Sequence, residues 1–164
     1  MSRISRMLSQ RSSAPYRRSI LAAALVAAVA AGAAGAGDPS PAIRWVDGLP
    51  QAKSVSDRTG KPMLIVFGAD YCGYCKKLDA DVFANPQVSR YINEGFVPVH
   101  LDTAEDANKR AAQILEVTHL PCSVILAPNA DQLGRISGYK EASPYFQDLA
   151  AARQLQSKIK KVSR

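Results

Sequence analysis

The sequence predicts a three-layer α/β/α sandwich around a mixed central sheet. Three observations point to it. Strand-like and helix-like segments alternate from residue 43 to residue 126, the run Met63–Phe67 is apolar at every position, and two short strand-like runs near the C-terminal end flank a four-residue turn. Alternating segments favour layered α/β architectures with right-handed parallel crossovers. An unbroken apolar run of strand length suits a strand covered on both faces. The paired short runs add an antiparallel hairpin at one edge.

Taken in order, Ile43–Val46 alternates as a short strand or an extended lead-in. Leu49–Arg58 has helical periodicity, with Leu49, Ala52 and Val55 on one face. Thr59-Gly60-Lys61-Pro62 ends that helix, Gly60 as its C-cap and Pro62 just beyond. After the strand Met63–Phe67, a helical stretch runs from the Cys72 region to about Phe83. Asn85-Pro86 reads as an N-cap followed by proline at the first helical position, and Val88, Tyr91 and Ile92 line one face of the helix they open. Asn93-Glu94-Gly95 stops it, and Phe96–Leu101 is the next strand. Ala104–Leu115 is helical, with Ala107, Ala111, Ile114 and Leu115 as its apolar stripe. Ser123–Leu126 and Leu133–Ser137 are the hairpin strands around the turn Pro128–Asp131. Pro144 to about Ile159 is a closing helix with Tyr145, Leu149, Ala152 and Leu155 near one stripe.

The 164 residues suit one domain of ordinary size, and 47% hydrophobic with 21% charged residues excludes a disordered chain. The net charge of +7 raises the question of a nucleic-acid partner, and its placement answers it. Residues 1–36 hold five arginines and no acid, and Lys158, Lys160, Lys161 and Arg164 close the chain. Residues 37–157 carry twelve basic and fourteen acidic residues, so no broad basic surface for phosphate exists and no nucleic acid is expected. The first 36 residues have the pattern of a signal peptide: Arg17-Arg18, an apolar run Ile20–Ala31, and small residues ending Ala34-Gly35-Ala36. The arginine pair loosely matches a twin-arginine export signal; an organelle transit peptide and a retained anchor are the alternatives. The expected organisation is therefore a leader over 1–36 and one domain over 37–164, exported to the periplasm. Membrane contact would come only through an uncleaved leader, and the basic tail is read as solvated.

Cys72-Gly73-Tyr74-Cys75 stands where the buried strand passes into a helix. Two cysteines three apart at a helix start lie on one side of its first turn. The first is near the unpaired N–H groups and the positive end of the helix dipole, which favours the thiolate, the nucleophilic form. The second is within disulfide reach, so the pair can cycle between dithiol and disulfide. A structural disulfide and a zinc half-site are the alternatives, but structural zinc wants four ligands and no second Cys-x-x-Cys exists.

The stretch Lys61–Lys77, with Leu120-Pro121 before the strand Ser123–Leu126 and Gly138-Tyr139 after the last strand, resembles the thioredoxin superfamily over about residues 43–155. Lys61-Pro62, Lys76-Lys77-Leu78, Val82-Phe83, Pro86-Gln87-Val88 and Phe96-Val97-Pro98-Val99 are most similar to its exported thiol:disulfide interchange group, which includes the C-terminal domain of DsbD. The tetrapeptide itself resembles that of the isomerase DsbC. The resemblance implies a thioredoxin-like sandwich, a cis Leu120–Pro121 bond, and catalysis by Cys72 and Cys75. It implies substrate contact by Tyr71, Gly73, Tyr74, Leu120 and Pro121. Thioredoxins proper place a buried Asp on the active-site strand where this chain has Val66, and Trp before the first cysteine where it has Tyr71.

The implied activity is thiol–disulfide exchange with exported proteins, without cofactor or metal, by a monomer served by a redox partner protein. Isomerisation is an alternative. So is a soft-metal, copper-handling or substrate-holding module using Cys72, Cys75 and Cys122. Cys122 itself reads first as a small buried hydrophobe. His100 and His119 read as strand-end and loop residues without a redox role, Trp45 as core or a lid over the sheet end, and Lys76 and Lys77 as a solvated helix face.

Overall fold

A computed structural model describes residues 42–162; the leader reading over 1–36 and Arg164 lie outside the described residues. The elements are α1 (Gly48–Thr59), β1 (Met63–Gly68), α2 (Gly73–Leu78), a π-helical turn (Asp79–Phe83), α3 (Pro86–Gly95), β2 (Val97–Asp102), α4 (Asp106–Ile114), β3 (Cys122–Leu126), β4 (Gln132–Ser137) and α5 (Ala142–Val162). Ile43–Val46 is not a sheet strand: it makes one parallel bridge, Val46 to Val99, through the Val46 N–H and the Pro98 carbonyl at 2.9 Å.

The caps follow the local chemistry. Gly60 ends α1 at φ +66°, a left-handed conformation open to glycine without a Cβ clash, and its N–H returns to the Ser56 carbonyl. From α5, Gln156 and the Lys160 ammonium donate to the Gly60 carbonyl at 3.1 and 2.8 Å, which gives one member of the basic tail a structural job. Asn85 caps α3 by accepting from the Gln87 and Val88 N–H groups, with Pro86 at the first helical position.

The sheet runs β2-β1-β3-β4. β1 and β2 are parallel, joined by the crossover through α2 and α3. The strict alternation of segments suggests a second parallel crossover through α4, and there the structure differs, because β3 is antiparallel to β1; β4 pairs antiparallel to β3, as the expected hairpin does. The register gives the reason. β2 leaves the sheet at Asp102, opposite Gly68, and β3 enters at Cys122, opposite the adjacent Phe67. The connection thus starts and finishes at one end of the sheet. The residues 115–121 after α4 carry the chain back to where β2 left it, and β3 must run the other way.

The period-two geometry of β1 sorts its side chains between two layers. Met63, Ile65 and Phe67 face α1 and α4, in a core with Ala52, Val97, Val99, Leu101, Ala112, Cys122, Val124 and Leu126. Leu64 and Val66 face the opposite layer, among Leu78, Val82, Val88, Ile92, Ile125, Ile136, Tyr145 and Leu149. Every residue of β1 is buried, as an apolar run without alternation requires. Full burial of Leu64 or Phe67 stabilises by about 1.5–3 kcal/mol relative to an exposed position. This is the expected sandwich, and among the described residues no helix is long and apolar enough to cross a membrane.

Candidate active site

Cys72 is the N-cap of α2, with extended backbone (φ −85°, ψ 101°), and Cys75 lies in the first turn. The two are joined in a disulfide with their Cα atoms 5.3 Å apart. The Cys75 N–H points at the Cys72 sulfur (3.1 Å), and the Cys72 carbonyl accepts from the Cys75 and Lys76 N–H groups. A cap sulfur held against an otherwise unsatisfied helix N–H is stabilised most when it is negative, so the setting favours a Cys72 thiolate after reduction. Cys72 is half-buried, whereas Cys75 is only 5% exposed, so the first sulfur meets partners and the second waits behind it.

Gly73 and Tyr74 stand between the two sulfurs in sequence. Gly73 has no positive φ, and nothing lies within 4 Å of where its Cβ would be. The residue leaves open space beside the disulfide. Tyr71 and Tyr74 are exposed at 81% and 65%. The Tyr74 ring tilts toward Tyr139 (6.3 Å), and the Lys77 ammonium lies 4.7 Å over the Tyr139 ring. Lys77 therefore does more than solvate the helix face. Tyr139 donates to Asp81 (2.9 Å); partial burial first, and that hydrogen bond second, push its hydroxyl above the usual phenol range.

The Leu120–Pro121 bond is cis. Because Cys122 pairs with Phe67, Pro121 falls one step further, beside Gly68, and the Pro121 carbonyl accepts from the Gly138 N–H at 2.8 Å. A Cβ on Gly68 would lie 3.6 Å from the Cys75 sulfur. The proline loop and the cysteine pair thus meet at the C-terminal end of β1. Leu120 is partly buried against the α1/α4 core. His119 is exposed, its Nδ1 2.9 Å from the Thr118 hydroxyl, as a loop residue should be.

Cys122 does not join the pair. It is a free thiol, 2% exposed, and shares the α1/α4 face with its strand partner Phe67, whereas Cys75 lies against Gly68 on the other face. Among the described residues no group of three or more His, Cys, Asp or Glu could hold a metal ion. The reading of Cys72, Cys75 and Cys122 as shared soft-metal ligands is corrected by this geometry, since strand alternation sends Cys122 through the sheet from the other two. Its nearest polar neighbour is the Arg135 guanidinium, 3.8 Å away.

Two residues gain significance from the fold. The His100 ring lies 3.1–3.2 Å from the Cβ position of Gly68, the same point that the Cys75 sulfur approaches to 3.6 Å. Asp79, four residues after Cys75, joins His100 in lining a cavity of about 700 Å³ with Ala42, Ile43, Trp45, Phe83 and Ala84. Burial raises the Asp79 carboxyl above its ordinary value, and the nearby His100 charge opposes that rise. Trp45 packs edge-on to both Phe83 (5.3 Å) and His100 (5.5 Å), a lid over the sheet end. The signal for Asp79 was its spacing, since residues four apart on a helix are neighbours. For His100 it was the register, visible only once β1 and β2 are paired.

Residues 44–128, just over half of the chain, match the thioredoxin-like family. The chain belongs to the thioredoxin-like family. It is similar to the thiol:disulfide interchange protein DsbD of Yersinia enterocolitica, 30% identical over 113 residues that make up 66% of this chain and 19% of that protein. The chain thus spans about a fifth of the length of the curated relatives it matches. Among solved structures, a DsbH oxidoreductase superposes with a TM-score of 0.64 at 18% identity, over 71% of this chain and 88% of that one. The oxidised C-terminal domain of Neisseria meningitidis DsbD superposes with 0.53 at 17% identity, over 60% and 90%. These likenesses establish the fold. With the disulfide-forming Cys72–Cys75 pair at its helix start, the family match and the DsbD relatives support thiol–disulfide oxidoreductase chemistry at this site.

Proposed function

We propose that this protein is an exported thiol–disulfide oxidoreductase that exchanges disulfides with protein substrates through Cys72 and Cys75. One observation carries the reading: a bonded cysteine pair at a helix start, its outer sulfur held by a backbone N–H and its inner sulfur buried. In the reductive direction the Cys72 thiolate attacks a substrate disulfide, forms a mixed disulfide, and expels one substrate thiolate. Cys75 then attacks the Cys72 sulfur, expels the second substrate thiolate, and leaves Cys72–Cys75 oxidised. The reverse sequence inserts a disulfide. Tyr71 and Tyr74, exposed beside the pair, and the Gly73 gap form the rim a substrate would meet, with Leu120 and the cis Pro121 as its other side.

The site needs no cofactor for this chemistry, because the electrons pass between sulfurs. Export to the periplasm rests on the arginine, apolar and small-residue pattern of residues 1–36, and fits protein thiols and disulfides of the cell envelope as partners. A second redox protein would return the pair to its working state. The decisive test is exchange with insulin or another disulfide protein by the purified chain. Wild type turns over and Cys72→Ser does not; a wild type that exchanges with no disulfide overturns the reading. The reduction potential of the pair then sets direction, about −270 mV marking a reductant and about −120 mV an oxidant.

A further inference from the structure

We infer that His100, packed edge-on against Trp45 in a cavity it shares with Asp79, accepts the proton of the Cys75 thiol and so activates the resolving half of the exchange. The inference rests on the thiol–disulfide reading of the site. It starts from an asymmetry. Cys72 has a helix N–H aimed at its sulfur, and among the described residues no backbone N–H donates to the sulfur of Cys75, which is 5% exposed. A buried thiol resists ionisation, because the charged form loses its hydration. Yet Cys75 must be a thiolate to attack the mixed disulfide. The strand beneath it offers no acid–base group: the β1 residues on its side of the sheet are Leu64, Val66 and Gly68.

The neighbouring strand offers one. His100 pairs with Val66 and therefore points to the same face. Gly68 leaves a space the size of one methyl group, with the ring Nε2 3.2 Å and the Cys75 sulfur 3.6 Å from its centre. That gap matches a direct approach after a small movement or one intervening water, the reach a general base needs. Any larger residue at 68 would close it. Asp79 extends from the turn after α2, four residues beyond Cys75, and lines the same cavity as the ring, where its carboxylate would favour an imidazolium. The Trp45 edge contact fixes the ring from the N-terminal segment.

The titratable groups around the ring are few. Cys75 comes from α2, Asp79 from the π-helical turn, and Asp102 lies two residues along β2 with its carboxylate accepting from the Ala104 N–H. β1 presents Gly68, and the N-terminal segment presents Trp45. The step balances as follows. The Cys75 S–H proton passes to His100 Nε2. The thiolate forms the Cys72–Cys75 bond, and the Cys72–substrate bond breaks with its electron pair leaving on the substrate sulfur. The imidazolium then returns its proton to that leaving thiolate or to water. The dithiol loses two electrons and the substrate disulfide gains them.

The test uses the full reduced chain and the chromogenic aromatic disulfide DTNB, whose coloured thiolate reports each attack. The first release follows attack by Cys72, the second attack by Cys75. In His100→Gln the second release should slow roughly 100-fold near neutral pH, the lower end of what positioned acid–base catalysis contributes. The first release should stay within about twofold, because the Cys72 cap is untouched. The wild-type second phase should show a pH inflection, as a rate that depends on a side-chain base does. The variant should lack it and converge on wild type at alkaline pH, where hydroxide does the work. Added imidazole should restore the second phase in His100→Ala, a recovery that a merely structural role would not show. A second phase in His100→Gln with wild-type rate and pH profile overturns the inference and leaves the oxidoreductase reading intact. Absence of the first phase in wild type overturns both.

Discussion

On β3, Cys122 and Ser123 are adjacent in sequence and face opposite layers of the sandwich. Cys122 sits buried among Phe67, Val124 and the apolar faces of α1 and α4, with the Arg135 guanidinium 3.8 Å from its sulfur. Ser123 meets the Tyr145 hydroxyl at 2.7 Å, inside the layer that also carries Cys75, Asp79 and His100. An aromatic chain links that layer: His100, Trp45, Phe83 and Tyr145 contact one another in succession. The same strands thus build one face as inert core and the other as core with a polar, redox-capable end. A cysteine's role here follows from its face. Partial exposure and a helix N–H fit Cys72 for the nucleophilic role proposed for it, and burial keeps Cys122 away from partners.

The contrast can be broken most directly at Cys72. Cys72→Ser should lower disulfide reduction by roughly 10³-fold or more, since it removes the atom that forms the covalent intermediate. Cys75→Ser should still attack substrate and should accumulate a mixed disulfide, detectable by mass spectrometry of the intact adduct. Turnover surviving in Cys72→Ser would move the nucleophile elsewhere.

Tyr145→Phe tests the polar core of the same face. It leaves the Ser123 hydroxyl buried without its partner, at a cost of about 1–3 kcal/mol in denaturant unfolding. The pH dependence sharpens it. Burial is the main reason the Tyr145 hydroxyl is held well above its ordinary value of 10.0, and the Ser123 hydrogen bond opposes the shift only in part. The native state therefore keeps a proton that the unfolded chain releases from about pH 10 upward. Its contribution to stability is complete below that pH and lost as pH rises toward the folded value, with a slope of about 1.4 kcal/mol per pH unit. The difference between wild type and Tyr145→Phe should carry that slope in alkaline denaturation.

The opposite face should respond weakly. Cys122→Ala is expected to cost about 1 kcal/mol, typical of a buried point substitution, and to leave disulfide exchange within about twofold. Alkylation of the reduced native protein should modify Cys72 rapidly, with Cys122 reacting only in denaturant. Rapid native labelling of Cys122 would erase the difference between the faces. The smallest effect should come from Gly60→Ala, at the far end of α1. A left-handed residue with a Cβ costs about 1 kcal/mol, seen as a lowered thermal midpoint with unchanged redox activity.

Much of this molecule was legible without coordinates. The apolar run Met63–Phe67 announced a doubly covered strand, Gly60 and Asn85 marked helix ends, and Cys72 through Cys75 marked a redox pair at a helix start. These are local signals, in which propensity, capping and spacing act within a few residues. The helical stretch after Cys75 was visible, but its π-helical turn Asp79–Phe83 was not. The direction of β3 was hidden, because alternation of segments does not record at which end of the sheet a connection closes. The faces of Cys122 and His100 were hidden for the same reason. A side chain's face depends on strand register, and register is settled by long-range pairing between β1, β2 and β3.

The sequence alone determined that a cysteine pair stands at a helix start after a buried strand, and that the charge over residues 37–157 is slightly acidic. Those properties live within short stretches of chain, where dipoles, caps and composition act. Only the tertiary structure decided that Gly68 opens a gap between His100 and Cys75, that Asp79 closes on the same cavity, and that Cys122 is excluded from it. Each of those placements brings together groups from different elements, and close packing of the sheet against its two helical layers is what fixes their distances.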